Sequence, residues 1–297
     1  MADGTRQHQG PARRLGRVLG GELQAALVRG AARDPWPGPL AVAWLTVAAL
    51  AALVLGAGLW LLAGYHAGFA TLNGAAAELP DWLWQGLTML GDERVAFALS
   101  LIVARRHPRV FWALIVAGLV GALYARGLKP LFDAARPPAV LDPGGFNLIG
   151  PGHRGESFPS GHSVTAGVLF GVLALFAGRR AWRAVFLLAA VAAGLSRTAL
   201  GVHWPVDVAF GLAGGWLAAV VGARLARRSR WGVLDGSVHL AFVTIAAMVS
   251  VGLWVDDGGY PAAGPALQAL CVAALGTALL GYVLLPLGRC LRRVAEH

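Results

Sequence analysis

Residues 40–64, LAVAWLTVAALAALVLGAGLWLLAG, carry no charged side chain and a single hydroxyl, Thr46. As a helix, this stretch is long enough to cross about 30 Å of hydrocarbon at about 1.5 Å per residue. Inside a bilayer the backbone finds no water, so a helix that satisfies its own N–H and C=O groups is the form available to such a run. The stretch therefore predicts an all-α membrane protein.

Seven further apolar runs lie downstream, at about 94–104, 110–125, 160–178, 184–201, 204–223, 238–255 and 266–287. Together they predict a polytopic membrane helix bundle of about eight transmembrane helices. The run at 94–104 is short, so it must borrow from its flanks or sit inside the bundle. Between the first two runs, Pro80-Asp-Trp-Leu-Trp84 reads as a short interfacial helix with Trp82 and Trp84 as anchors. Of the 297 residues, 57% are hydrophobic and 13% are charged, whereas a soluble domain carries about 25% charged residues. The net charge of +10 comes in short clusters between apolar runs. That pattern is one of membrane topology, and nucleic acid is not expected as a partner. Cys271 and Cys290 stand 19 residues apart and are not expected to pair.

The chain divides into a basic N-terminal segment (1–39), a six-helix core (40–223) and two additional helices with a basic tail (224–297). In the first segment Leu15, Val18, Leu19, Leu23, Ala26 and Leu27 recur at helical spacing beside Arg13, Arg14 and Arg17, which suits a helix lying on an anionic membrane face. The segment lacks the apolar core and cleavage site of a signal peptide and reads as uncleaved.

Counting positive charges on alternate sides of eight crossings places 19 of the 25 at the N-terminus, the turns at 105–109, 179–183 and 224–230, and the tail. The excess of Arg marks the cytoplasmic face. Both termini are then inside, and the chain is a multi-pass protein of a cell inner membrane. Six cations remain on the outer side: Arg94, Arg126, Lys129, Arg136, Arg154 and Arg197. Lys129 is the single lysine beside 24 arginines.

Three short motifs share that outer side. Lys129 and Arg136 stand seven apart, with Pro137 after them; if helix restarts at Pro130, both lie on one face about 10.5 Å apart and can grip one polyanion. Pro159-Ser160-Gly161-His162 has start signals for a helix, and Gly161 lets a ligand approach free N–H groups. His162 beside them can donate a proton to a leaving oxygen. Finally, Ser196-Arg197 precedes His203 and Asp207. Pro205 suits a first helical turn, so Asp207 sits about one turn in, where its carboxylate can hold one imidazole nitrogen of His203 and free the other. Ionisable residues in such apolar surroundings are functional candidates. Two histidines, a carboxylate, fixed cations and a helix N-terminus suit phosphoryl transfer without a metal, one histidine attacking and the other protonating the leaving group. No metal-ligand spacing, Walker loop or nucleophile elbow is present.

Lys129-x6-Arg136-Pro137, Pro159-Ser-Gly-His162 and Ser196-Arg197-x5-His203-x3-Asp207 resemble, in order, the three-part signature of the type-2 phosphatidate phosphatase superfamily. That superfamily spans lipid phosphate phosphatases, polyprenyl pyrophosphate phosphatases and the vanadium haloperoxidases. The resemblance implies that His203 is a nucleophile forming a phosphohistidine and that Asp207 orients it. It also implies His162 as the general acid, with Lys129, Arg136, Ser160, Gly161 and Arg197 binding the phosphate. No metal or other cofactor is implied. The substrate expected is a membrane lipid phosphate or pyrophosphate of the phosphatidate, phosphatidylglycerol phosphate or undecaprenyl pyrophosphate class. A phosphotransferase discharging the same intermediate to another lipid fits the motifs equally. An anion transporter would need no paired histidines, and a haloperoxidase of this family would be soluble. The oligomeric state is not legible.

Overall fold

The computed structural model describes residues 11–295. Residues 1–10 and 296–297 lie outside the described residues, as do the side chains of Arg13, Arg14, Leu15 and Arg17. All regular structure among the described residues is helical. In chain order the helices are α1 (Pro11–Arg33), α2 (Pro39–Ala63), α3 (Phe69–Ala76), α4 (Asp81–Met89), α5 (Glu93–Ala104), α6 (Pro108–Phe132) and α7 (Pro137–Val140). They continue with α8 (Gly161–Phe176), α9 (Arg180–Ala199), α10 (Pro205–Arg228), α11 (Trp231–Leu234), α12 (Gly236–Val255), α13 (Gly264–Leu279) and α14 (Leu285–Ala295). A π-helical turn, Leu280–Leu284, joins the last two.

Among the described residues six segments are long and apolar enough to cross a membrane, beginning at Pro39, Pro108, Arg180, Pro205, Gly236 and Pro261. The other two runs in the sequence form α5 and α8, of 12 and 16 residues. α5 lies against α6, α8, α12 and α13 and buries Val95, Ala98, Leu101 and Ala104. It is an inner helix rather than a lipid-facing one. Pro80–Trp84 does open a helix, but Trp84 donates Nε1–H to Ala76 O at 2.9 Å and thereby ties α4 back onto α3.

α10 is the central helix: 83% of its most apolar stretch is buried, against 22% for α2. Small residues make this possible, because without a water-driven term between helices in lipid, packing depends on backbones coming close. A Cβ on Gly215 would lie 2.5 Å from Val164 O, and one on Gly211 would lie 2.8 Å from Ser160 O. α8 and α10 therefore touch backbone to backbone, and the N-terminus of α8 is seated against the first turns of α10.

The basic segments collect at one end of the bundle. His107 Nδ1 lies 2.7 Å from Asp34 Oδ1, Arg289 pairs with Glu22 at 3.3 Å, and Arg105 donates to Gly281 O. Arg109, Arg224, Arg227, Arg228 and Arg230 line a hollow of about 610 Å³ beside Trp36. The N-terminal helix and the tail are thus neighbours. The histidine motifs lie at the opposite end, since α8 begins at Gly161 there and finishes where Phe176 meets Trp36, ring centroids 5.9 Å apart.

Candidate active site

At that opposite end, Trp204 caps α10 and Pro205 takes its first position. Asp207, fully buried, is consequently in the first turn, where a carboxylate is favoured by the free N–H groups. It accepts from four directions. Trp204 N–H and Ser157 Oγ donate to Oδ2 at 3.0 and 2.5 Å. Tyr65 donates to Oδ1, and His203 Nδ1 lies 3.2 Å from Oδ2. A carboxylate only accepts, so the proton of His203 sits on Nδ1 and Nε2 keeps its lone pair. Burial pushes the Tyr65 phenol upward, with Asp207 beside it as the next cause, so Tyr65 remains a donor. Burial likewise holds His203 well below its ordinary value, and after burial the causes are Arg136, Arg197, Lys129 and His153.

Those same causes show that the three motifs converge. Lys129 closes α6, with its Nζ 3.5 Å from Glu156 Oε2. The helix does not restart at Pro130: α6 runs through that proline to Phe132, and Asp133 ends it in the left-handed region at φ 39°. Arg136 lies beyond this break as the cap of α7. Lys129 and Arg136 are therefore not two turns apart on one helix. The chain turns between them, and Arg136 is held by its own contacts, N–H to Arg154 O at 2.9 Å and Nε–H to Gly155 O at 2.8 Å. A proline interrupts a helix only by removing one donor and crowding the carbonyl four residues back, and near a C-terminus that cost is tolerated.

α8 begins as expected. Ser160 is its cap, accepting from Ser163 N–H at 3.4 Å and from Ser163 Oγ–H at 2.9 Å, while its own N–H donates to Asp207 O at 3.1 Å. The hydroxyl of Ser160 is thus occupied within the helix turn. The space beside Gly161 is open, and His162 is half-buried within electrostatic reach of Arg197, His203 and Arg136. A Cβ on Gly91 would meet His162 O at 2.6 Å, so only glycine lets the chain entering α5 lie against His162.

Arg197, in the last turn of α9, is 3% exposed. Its Nη1 donates to Thr88 Oγ1 at 2.7 Å and to Tyr260 OH at 3.2 Å. Its Nε is buried with no acceptor among the described residues. The loop from 141 to 160 is fastened over this end: buried Asn73 donates to Asn147 O, Thr198 O and Ala199 O at 2.9–3.1 Å and accepts from Asn147 N–H. Gly201, at φ 76°, passes so near the loop that a Cβ would lie 2.4 Å from Asn147 O. Arg154 is exposed in that loop.

Five residues near the site were not singled out as functional by sequence reasoning: Tyr65, Thr88, His153, Ser157 and Tyr260. Ser157 stands next to a quoted motif and could have been suspected. His153 lies in the loop that leads into the same motif, whereas Tyr65, Thr88 and Tyr260 each stand more than 40 residues from the nearest motif, and no local spacing marks them.

The fold and the site define a helical membrane protein with a buried, carboxylate-backed histidine among fixed cations. Residues 109–231, less than half of the chain, match the PAP2 superfamily. It is 40% identical over 133 residues to the lipid A 1-phosphatase of Rhizobium etli, covering 43% of this chain and 55% of that protein. It is 27% identical over 155 residues to the undecaprenyl-diphosphatase of Sulfolobus acidocaldarius, covering 50% and 68%. The matched stretch spans about half the length of the Rhizobium relatives. The crystal structure of Aquifex aeolicus LpxE superposes with a TM-score of 0.49 at 28% identity, over 52% of this chain and 92% of that one.

Proposed function

We propose that the chain is an integral-membrane phosphatase that hydrolyses a lipid phosphate or pyrophosphate through a phosphohistidine on His203. The observation that carries this reading is His203 held by Asp207 through Nδ1, with Lys129, Arg136 and Arg197 around it. In the first step His203 Nε2 attacks phosphorus, the bond to the leaving oxygen breaks, and His162 gives that oxygen a proton. In the second, water attacks the phosphohistidine, passes a proton to His162, and releases inorganic phosphate. Lys129, Arg136, Arg197 and the N–H group at Gly161 hold the equatorial oxygens, whose charge spreads in the transition state, while Ser160, bonded to Asp207 O, seats that turn. Asp207 keeps the ring oriented and offsets the charge it gains.

Six segments of membrane length among the described residues and the gathering of arginines at the end away from the site favour a site at the outer face of a bacterial inner membrane, with both termini in the cytoplasm. Residues 40–223 form the phosphatase core in this reading, and 224–297 add two helices and a tail. The names carried by the relatives, lipid A 1-phosphatase and undecaprenyl-diphosphatase, support phosphorylated lipid as the substrate class.

Purified protein in detergent should release phosphate from one or more of lipid A phosphates, undecaprenyl pyrophosphate, phosphatidate and phosphatidylglycerol phosphate, with a water-soluble monoester turned over more slowly and EDTA without effect. No release from any of these lipids would end the hydrolase reading. Loss of substrate without free phosphate, when a second lipid is added, would replace it with phosphotransfer.

A further inference from the structure

The two membrane-length segments after residue 231, α12 and the one running through α13 into α14, lie beyond the part of the chain that matches the superfamily, yet the turn between them enters the site. Tyr260, 3% exposed, reaches the Nη1 of Arg197 at 3.2 Å, sharing it with Thr88 of α4. The turn that carries Tyr260 is clamped on three sides. Arg94, at the start of α5, donates to Asp256 O at 3.0 Å and Oδ2 at 2.8 Å and is itself held by Asp92 at 2.9 Å. Gln85 of α4 accepts from Ala262 N–H at 2.9 Å. On the third side the tyrosine ring lies so close to the loop over the site that a Cβ on Gly150 would meet its Cε1 at 2.6 Å, while Gly259 abuts Pro151.

A buried guanidinium is planar and carries five N–H donors in fixed directions. Anchoring one nitrogen by two hydroxyls from different elements fixes the plane and leaves the other donors to a ligand. Nε is the donor without a protein acceptor among the described residues, and a buried donor left open in this way costs about 1–3 kcal/mol unless something accepts from it. An anion oxygen is the acceptor that fits a cation in an otherwise donor-lined pocket.

We propose that Tyr260 is a positioning residue for Arg197, so that the C-terminal helix pair completes the anion site of the enzyme rather than serving only as extra membrane anchorage. This rests on the reading of the site as one that binds a phosphoryl group. Tyr260 does not touch the substrate; its hydroxyl sets the angle at which Arg197 presents Nε. The ring and the hydroxyl have separate roles, the ring closing the turn against Gly150 and the hydroxyl aiming the guanidinium, and this separation makes the proposal testable.

The test uses the full chain in detergent and orthovanadate, whose bound form resembles the transferring phosphoryl group. Tyr260→Phe keeps the ring and removes the hydroxyl. It should weaken vanadate binding and raise KM for the best lipid substrate by about 10-fold each, the scale of one hydrogen bond to a charged group, while the melting temperature stays within about 2 °C of wild type. Thr88→Val, which removes the other anchor with little change of volume, should act in the same direction. A Tyr260→Phe protein with wild-type vanadate affinity and KM would overturn the positioning role while leaving the phosphatase reading intact. Wild-type protein that binds no vanadate would overturn the anion-site reading and this inference with it.

Discussion

Both ends of the bundle are rich in cations, and they use them in opposite ways. At the end near α11, Arg224, Arg227, Arg228 and Arg230 are exposed around an open hollow, and among the described residues no acceptor fixes any of their side chains. At the other end Arg197 is buried and anchored by two hydroxyls, while Arg136 is pinned by Gly155 O. An exposed arginine is screened by water and salt within about 10 Å. A cation held in a dry site keeps its full effect on nearby charge and needs no reorganisation when that charge develops. Arginine count therefore reports topology, whereas burial with fixed donors makes chemistry.

The sharpest way to break this comparison is at His203, the proposed nucleophile. His203→Ala should lower turnover by at least about 10³-fold, the scale for losing a catalytic nucleophile, with the protein still inserting into membranes. Phosphate release at the wild-type rate would remove His203 from the mechanism. One order smaller, Lys129→Met should cost about 10²-fold in kcat/KM, and Lys129→Arg should recover only part of it, because a planar fork does not reproduce a compact ammonium at a tight site. If Lys129 is merely an interfacial anchor, Arg will be silent and vanadate affinity will survive Met.

A subtler prediction concerns pH. His203 is held below the ordinary histidine value of about 6.5 by burial first and by Arg136 and Arg197 next. Its neutral, nucleophilic form should therefore persist on the acid side, with the acid limb of kcat/KM below pH ~6.5 after allowance for substrate ionisation. Replacing a nearby cation relieves part of the depression, so Arg136→Gln should move that limb to higher pH. An unmoved or lower limb would show that Arg136 does not act on the nucleophile. The smallest effect is expected at the basic end: Arg227→Gln with Arg228→Gln should leave kcat and KM within about 2-fold, as is usual for exposed charges. A larger fall would mean that the solvated arginines also take part.

The two ends also differ in how much of each is written in local sequence. The basic end is legible as five clusters of arginine between apolar runs, because membrane topology leaves its mark locally in composition. The histidine end is half legible. Ser160 as a helix cap, Pro205 in the first turn of α10, and Asp207 within reach of His203 follow from rules that act over four residues. The expectation of one helix face for Lys129 and Arg136 fails because seven-residue spacing says nothing about a left-handed stop at Asp133. Composition places the 12-residue α5 inside the bundle only as one of two choices, and its packing against α12 and α13 decides between them.

By itself the sequence determined that the chain is helical, that it crosses a membrane, and that three polar motifs share its less basic side, since hydropathy, capping and charge bias act on near neighbours. Only the tertiary structure decided that Tyr65, 142 residues before Asp207, donates to it, and that Tyr260 and Thr88 hold Arg197 from both sides in the chain. Such contacts depend on which helix faces meet. Those faces were chosen by glycines such as Gly211 and Gly215, whose missing side chains let α10 lie against α8, and a close approach of that kind is a property of two surfaces together, not of either stretch alone.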